Sequence, residues 1–390
     1  STGKIIRGIG SLAIRNNYSY TLFYPGEKNN HTKQEYDILM CSEFSKKINQ
    51  KLAYFSGFNG CFSVFTTYRL LHKLRKLDIS LIHLHNLHNS YINLPMLFSY
   101  LSRKKIPVVW TLHDCWAFTG QCPHFTMVKC DKWITGCYNC PKYHEYPEAC
   151  IDRTKMMWNL KRRWFTSVQN MTIVTPSQWL ADHVKMSFLR EYPVKVINNG
   201  IDLSVFKPSI SSFREKYNLI NKFIVLGVSY GWDKRKGLDV FIELSKRLDQ
   251  SKYQIVLVGT NDNIDKQLCS NIISIHRTQN QQELAEIYSA ADIFVNPTRE
   301  DNFPTVNIEA LACGTPVLTF RTGGSPEIID ETSGYAVDCD DFAAMEREII
   351  RICTMKPYTV DACLKRAKCF DINDKYKEYI KLYEDITYSS

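Results

Sequence analysis

The chain has 390 residues, 44% of them hydrophobic and 23% charged, which excludes wholesale disorder and a mini-protein that needs covalent staples to fold. At ~100–200 residues per domain, the length predicts two domains. The formal charge of +9 is uneven: residues 1–200 carry 26 Lys and Arg against 12 Asp and Glu (+14), and residues 201–390 carry 23 against 28 (−5). Such asymmetry predicts two domains with different partners, the first facing an anionic surface. No run of about 18 apolar residues occurs, so no bilayer-spanning helix is expected. No signal peptide is visible, and the chain opens on Ser1-Thr2-Gly3 without an initiator Met, so a segment upstream is expected to be missing.

The first segment in chain order contains Gly8-Ile9-Gly10-Ser11-Leu12-Ala13, and Glu27 follows the next strand. That string has the form of a dinucleotide fingerprint. Ile5, Ile9, Leu12 and Ala13 fall at helical spacing, however, which places the glycines inside a helix instead of before it. Apolar runs bounded by polar or turn residues then predict strands at 20–24, 81–84, 108–112, 172–175 and 194–197. A second set falls at 223–228, 255–258, 272–275, 293–295 and 317–319, with helical stretches such as 284–291 and 306–312 between strands. Continuous apolar strands alternating with helices mean parallel sheets covered on both faces. About ten strands exceed one compact doubly wound domain, so the fold class is α/β with two such domains. The seam follows Asn198-Asn199-Gly200-Ile201-Asp202. The domains are read as 1–203 and 204–370, and 371–390 as a C-terminal helix with Tyr376, Tyr379, Ile380 and Tyr383 on one face, packing back toward the first domain.

Within the first domain, His83, His85 and His88 resemble a metal set. With no acid partner nearby in sequence they are read as strand-end polar residues, structural or substrate-contacting. The basic clusters Arg103-Lys104-Lys105 and Lys161-Arg162-Arg163 read either as part of a surface for an anionic partner or as solvated helix ends; no aromatic stacking module accompanies them, so nucleic acid is not an expected partner. Six cysteines, from Cys115 to Cys150, fall in a 115–150 insertion. Cys137-Tyr138-Asn139-Cys140 is a C-x2-C knuckle, and Cys122 and Cys130 precede it. Four thiolates there can hold one structural zinc tetrahedrally and order a polar segment, with His124 as a substitute ligand; the other reading is reduced, unliganded thiols.

In the second domain, Lys236-Gly237 follows the first strand, where a cation can balance a pyrophosphate. The segment from Arg299 to Val317 reads as loop, helix, tight turn and strand. Acids at Glu300 and Asp301 open the loop, and Glu309 lies about two helical turns on. Loops at the carboxyl ends of parallel strands are where α/β ligands bind. Carboxylates there suit sugar or ribose hydroxyls, and a helix N-terminus suits phosphate; an acidic N-cap on an ordinary helix is the alternative. Gly323-Gly324 brings backbone amides close to a ligand or simply makes a turn. Asp338-Cys339-Asp340 spells a D-x-D string, read as a solvated loop.

These residues in this order resemble glycosyltransferase family 4, retaining enzymes of GT-B fold, in which two Rossmann-like doubly wound domains face a cleft. The matching pieces are Lys236-Gly237, the acidic loop through Glu309-Ala310-Leu311-Ala312-Cys313-Gly314-Thr315-Pro316-Val317, and Gly323-Gly324. Asn199-Gly200-Ile201-Asp202, Leu84-His85-Asn86-Leu87-His88, Leu112-His113-Asp114 and Ser1-Thr2-Gly3 match as well. The wording is most like members that build capsular polysaccharide, O-antigen or colanic-acid-like exopolysaccharide. The resemblance makes Ser1-Thr2-Gly3 the loop after a first N-terminal strand that is absent here. It implies that Glu309 binds the nucleotide ribose and that Asp301, at the first acid of the E-x7-E motif and one methylene shorter than the usual Glu, contacts the donor sugar, with Glu300 sharing that role.

By the same resemblance Lys236 meets the pyrophosphate. The companion arginine of the family has no match: Tyr230 stands near its place, and Arg235 compensates. His113 contacts the donor sugar from the N-terminal domain. Ser1, Thr2, Gly3, Asn302, Phe303, Pro304, Thr305, Gly323 and Gly324 complete the donor site, Asn302 and Pro304 standing where the family has glycines. His85, His88, Asp114 and Trp116 fall on the acceptor side. The implied reaction is retaining transfer of a sugar from a UDP- or GDP-sugar to a lipid-linked glycan, by a cytoplasmic protein peripheral to an anionic membrane. No metal is needed for the catalysis. A GT-B-fold sugar-nucleotide epimerase and a non-catalytic zinc-stabilised scaffold are the alternatives.

Overall fold

The computed structural model describes residues 2–25 and 36–388, so Ser1 and Glu27 lie outside the described residues. Two compact units divide the chain: residues 1–197 with 376–390, and residues 198–375. Among the described residues no helix is long and apolar enough to cross a membrane.

The first unit opens on the helix Thr2–Arg15. Its glycines are packing positions: a Cβ at Gly8 would stand 2.1 Å from the Tyr376 ring, and one at Gly10 would stand 2.2 Å from the Tyr20 ring. The fingerprint-like string is therefore a helix face that receives two tyrosines. β1 (Leu22–Tyr24) and β2 (Asp37–Leu39) form a separate parallel pair. β3 (Ile82–Leu84), β4 (Val108–Thr111), β5 (Met171–Thr175) and β6 (Val194–Val196) form an all-parallel sheet in that order. β4 is buried along its whole length, as a central strand covered on both faces must be. The crossover helix Leu94–Arg103 starts where the Asn93 side chain accepts from the Met96 amide, and it buries Leu94, Leu97, Phe98 and Leu101 at helical spacing. The segment 115–150 has only short 3-10 turns, at Trp116–Phe118 and Lys132–Ile134. It is less polar in effect than its sequence suggests, because Trp116, Phe118, Phe125 and Trp133 enter the core and the last two stack with centroids 5.0 Å apart. The last helix, Ile372–Tyr388, buries Tyr376, Tyr379, Ile380 and Leu382; from Tyr376 onward it belongs to this unit.

The second unit is a six-stranded parallel sheet. β7 (Phe223–Val228), β8 (Tyr253–Val258), β9 (Ile272–Ile275), β10 (Ile293–Asn296), β11 (Val317–Phe320) and β12 (Gly334–Val337) lie in the order β12-β11-β10-β7-β8-β9. The order reverses between β7 and β10, which pair directly. The crevice at their carboxyl ends is the topological switch point, where ligands of open α/β sheets bind. β2 and β12 have no counterpart among the strands expected from sequence. β2 is only three residues long, and β12 opens on a glycine and exposes Tyr335, so neither gives a continuous apolar run.

Candidate active site

The loops after β7 and β10 meet at the switch point. Lys236 ends the first, and its ammonium pairs with the carboxylate of Asp301 in the second. Both side chains remain about one-fifth exposed, at 21% and 23%. Gly237 is fixed by the same meeting: its φ is 78°, and a Cβ would stand 2.5 Å from the Pro297 carbonyl. The backbones are joined as well, the Arg299 amide donating to Arg235 O at 2.8 Å and the Arg235 guanidinium to Glu300 O at 3.2 Å. Glu300 is buried, so of the two acids Asp301 is the one that stands beside Lys236. Tyr230, near the place of the family's companion arginine, is fully exposed.

Arg299 holds this loop. It is 5% exposed. Its guanidinium donates to both carboxylate oxygens of Asp239 at 2.8 Å, to Asp340 Oδ1 at 2.7 Å and to the Lys234 carbonyl. Burial works against its charge, but the hydrogen bonds to Asp239 and Asp340 hold it protonated above the ordinary arginine range. Asp340 is exposed in its loop, as expected, and also contributes one bond to this bidentate-plus-one clamp. No sequence signal marks this role, because Asp239 and Asp340 lie 60 and 41 residues away.

Gly323 and Gly324 support the same loop. A Cβ at Gly323, whose φ is 54°, would stand 1.8 Å from the Asp301 carbonyl. The Gly324 amide donates to Asn302 O at 2.9 Å, and the Thr322 hydroxyl to Thr298 O at 2.7 Å. The turn therefore brings backbone against backbone, and the Gly324 amide is committed within the protein. Phe303 and Pro304 are buried, Phe303 packing edge-on against Phe370 at 5.7 Å, so Phe303 anchors the loop to the core. Asn302 is also buried, while Thr305 is half-buried at the start of the helix Thr305–Ala312. Glu309, about one turn into that helix, accepts from the Tyr288 hydroxyl at 3.2 Å. Tyr288 is wholly buried, and burial with the nearby Glu309 charge pushes its phenol far above the usual range, so it stays a neutral donor.

In the first unit, His85, His88, His113, Asp114 and Trp116 line one small pocket at the carboxyl ends of β3 and β4. His85 Nδ1 and His113 Nε2 are 3.1 Å apart, and their rings stack at 21°. Burial pushes the His113 pKa down to about 4, against an upward pull from Asp114; burial and the neighbouring imidazoles also hold His85 well below the ordinary histidine range. Both rings are neutral at physiological pH, able to exchange hydrogen bonds without carrying charge. His88 Nε2 lies 3.2 Å from Asp114, its Nδ1 bonds the Tyr146 hydroxyl at 2.8 Å, and Asp114 accepts from the Trp116 amide at 2.9 Å. His83 packs against His85 with ring centroids 4.1 Å apart and directs its nitrogens to Tyr383 at 2.6 Å and Thr111 at 2.8 Å, a structural role. Thr2 accepts from Asn86 at 3.3 Å, and nothing lies within 4 Å of where a Gly3 Cβ would be.

The cysteines make a narrower arrangement than a tetrahedral set. Cys122 and Cys140 are hydrogen-bonded thiol to thiol, which raises Cys122 and brings Cys140 down to about 7. Cys137 Sγ accepts from the Gly120 amide at 3.1 Å. Among the described residues no three of Cys122, Cys130, Cys137 and Cys140 have sulfurs all within 4.8 Å of one another; the residues that do gather so are the exposed Asp262 and His276 with the half-buried Asp265.

Beside this cluster Lys161, expected in a solvated helix end, is wholly buried. It donates to the carbonyls of Trp116 and, at 2.8 Å, Thr119 and sits 3.7 Å over the Trp116 ring. Burial pushes its pKa down to about 7, opposed by Cys137, Cys122 and Asp114. The unfolded chain keeps this proton to roughly pH 10.4, so above about pH 7 the unfolded state binds more protons and stability rises with pH. Lys161→Met should remove that slope. In urea denaturation the stability of wild type relative to the variant should rise by on the order of 2 kcal/mol from pH 7 to pH 9; a flat difference would show that the lysine stays charged when folded.

Comparison with known proteins gives the chain its relatives. Residues 13–205 match the family model "Glycosyltransferase Family 4", and residues 221–355 match "Glycosyl transferases group 1". The chain is 24% identical over 324 residues to the putative colanic acid biosynthesis glycosyl transferase WcaC of Escherichia coli (strain K12), covering 78% of this chain and 76% of that one. The structure is similar to sucrose-phosphate synthase from Thermosynechococcus elongatus, with a TM-score of 0.72 and 19% identity over 100% of this chain and 94% of that one. It is also similar to Anabaena HepE, solved in complex with UDP, with a TM-score of 0.58 and 17% identity over 82% of each chain.

Proposed function

The chain belongs to glycosyltransferase family 4 and has the GT-B fold of two parallel-sheet domains, and we propose that it transfers a sugar, with retention, from a UDP-sugar to a lipid-linked glycan in surface-polysaccharide synthesis. The observation that carries the donor side is the meeting of Lys236 and Asp301 at the β7–β10 switch point, in a loop clamped by Arg299. A nucleoside diphosphate there exchanges partners with the ion pair. Lys236 turns to the pyrophosphate, and Asp301 becomes free to accept from sugar hydroxyls. The half-buried Glu309, oriented by Tyr288, accepts from the ribose.

As the bond between the anomeric carbon and the phosphate oxygen breaks, negative charge develops on the leaving phosphate, and Lys236 with Arg235 stabilises it. The acceptor hydroxyl attacks from the same face and passes its proton to the departing phosphate oxygen, so the anomeric configuration is kept. No metal enters this scheme. The pocket of neutral His85 and His113 beside Asp114 supplies hydrogen bonds for sugar hydroxyls. The UDP bound by the Anabaena protein supports a uridine donor, and the colanic acid relative supports a polysaccharide product, assembled at an anionic membrane surface.

The test is product analysis across nucleotide sugars, with and without lipid-linked acceptors. A glycosylated lipid that retains the donor's anomeric configuration is expected. An epimerised nucleotide sugar formed without acceptor would replace this reading with epimerisation.

A further inference from the structure

The helix Glu43–Ser56 is built with its apolar side outward. Ser42 caps its start by accepting from the Ser45 amide, and Gly57 closes it in the left-handed conformation. Between them Phe44, Ile48, Leu52 and Phe55 recur at helical spacing and form one stripe, and all four are exposed, Phe44 by 75% and Phe55 by 64%. The helix buries only Ala53; the residues beside Ala53 on that inner side, Ser45, Asn49 and Ser56, are polar and half-buried. A surface helix of a soluble domain has the opposite arrangement.

The next helix, Val64–Leu74, also carries exposed apolar residues. Asn49 Oδ1 accepts from the Ser63 amide at 3.2 Å, tying the first helix to the start of the second. Val64, Phe65 and Tyr68 are exposed on its first turns, Phe65 by 71%, while Thr66 and Thr67 are buried. Scattered exposed apolar residues need no explanation, but an apolar stripe along the whole of one helix, with further exposed aromatics on the helix hydrogen-bonded to it, does. Its flanks are basic. Lys47 and Lys51 are exposed along the edge of the stripe, and residues 43–76 hold seven Lys and Arg against the single acid Glu43.

We infer that this face, Phe44, Ile48, Leu52 and Phe55 with Phe65 and its lysine rim, docks on an anionic lipid bilayer, rings in the headgroup boundary and lysines on the lipid phosphates. The inference rests on the lipid-linked acceptor proposed above and gives it a surface. Apolar insertion together with electrostatic attraction is what holds an interfacial helix in place. Charge decides against a second copy of the chain as the occupant: a two-fold contact would set the same basic rim against itself.

The experiment is flotation of the whole chain with phosphatidylcholine vesicles and with vesicles carrying about a third phosphatidylglycerol, enough to give a negative surface. Wild type should float with the anionic vesicles, and partitioning should fall at least about tenfold in high salt, because the rim's contribution is screened. F44S/F55S/F65S and K47E/K51E should each lose at least about tenfold in partitioning, while hydrolysis of the nucleotide sugar in solution stays at the wild-type rate and reports an intact fold.

Wild type that stays unbound, or variants that float as well as wild type, would overturn the surface. So would a dimer in light scattering that F44S/F55S/F65S dissolves while wild type ignores vesicles. Binding to vesicles without transfer to any lipid-linked acceptor would overturn the acceptor reading and leave the surface standing.

Discussion

Lys236→Ala should lower kcat/KM for the nucleotide-sugar donor by about a thousandfold, about 4 kcal/mol of transition-state stabilisation. The reason lies in what its ammonium does at each stage. In the free protein it is held by Asp301, in an ion pair only one-fifth exposed, so it is positioned before any ligand arrives. In the proposed reaction it faces charge that grows as the phosphate departs, and only interactions that strengthen in the transition state raise the rate. Most of the loss should therefore fall on kcat, with a smaller rise in KM. Stability should change little, because the pair keeps contact with solvent and such pairs contribute modestly. Steady-state release of nucleoside diphosphate, with thermal unfolding alongside, measures both. A variant with near-normal kcat would remove Lys236 from the leaving-group site.

The position of Lys236 was legible because a glycine that must follow it is legible. Gly237 has a positive φ and no room for a Cβ, so Lys-Gly after an apolar strand marks a turn where two backbones close. Glu309 was legible by its spacing from Asp301, in a helix whose start is marked by Pro304. The clamp around them was not. Arg299 recruits Asp239 and Asp340 from separate loops, and such long-range pairing leaves no periodicity to read. The same holds for Lys161, which sits in a basic run that looks like a solvated helix end but crosses into the core to reach the carbonyls of Trp116 and Thr119.

The fold was legible where burial is two-sided. β4, β7, β8 and β10 carry continuous apolar runs, whereas β2 and β12 are short and partly exposed and give no such run. The cysteine-rich segment is a different case. Its thiols suggest a metal, and Trp116, Phe118, Phe125 and Trp133 in the core also contribute to its order.

Glu309→Ala should lower kcat/KM for the donor about a hundredfold, mainly through KM, because the carboxylate is proposed to bind ribose hydroxyls, which are remote from the bond that breaks. Here, unlike at Lys236, the substitution also touches stability. Glu309 accepts from Tyr288, a wholly buried phenol. Removing the acceptor leaves that hydroxyl buried without its partner, at a cost of about 1–3 kcal/mol. Tyr288→Phe removes the donor instead. Glu309 is only half-buried and keeps access to water, so that variant should lose roughly 1 kcal/mol of stability and only a few-fold in donor affinity as the carboxylate loses its orientation.

The double variant separates the two effects. Glu309→Ala with Tyr288→Phe should be more stable than Glu309→Ala alone, since no hydroxyl is then stranded, while donor KM stays at the Glu309→Ala level. Urea denaturation and donor titration across this double-mutant cycle read the coupling directly. A double variant that recovers donor binding along with stability would mean that Glu309 acts only by holding the helix in place, and that the ribose is recognised elsewhere.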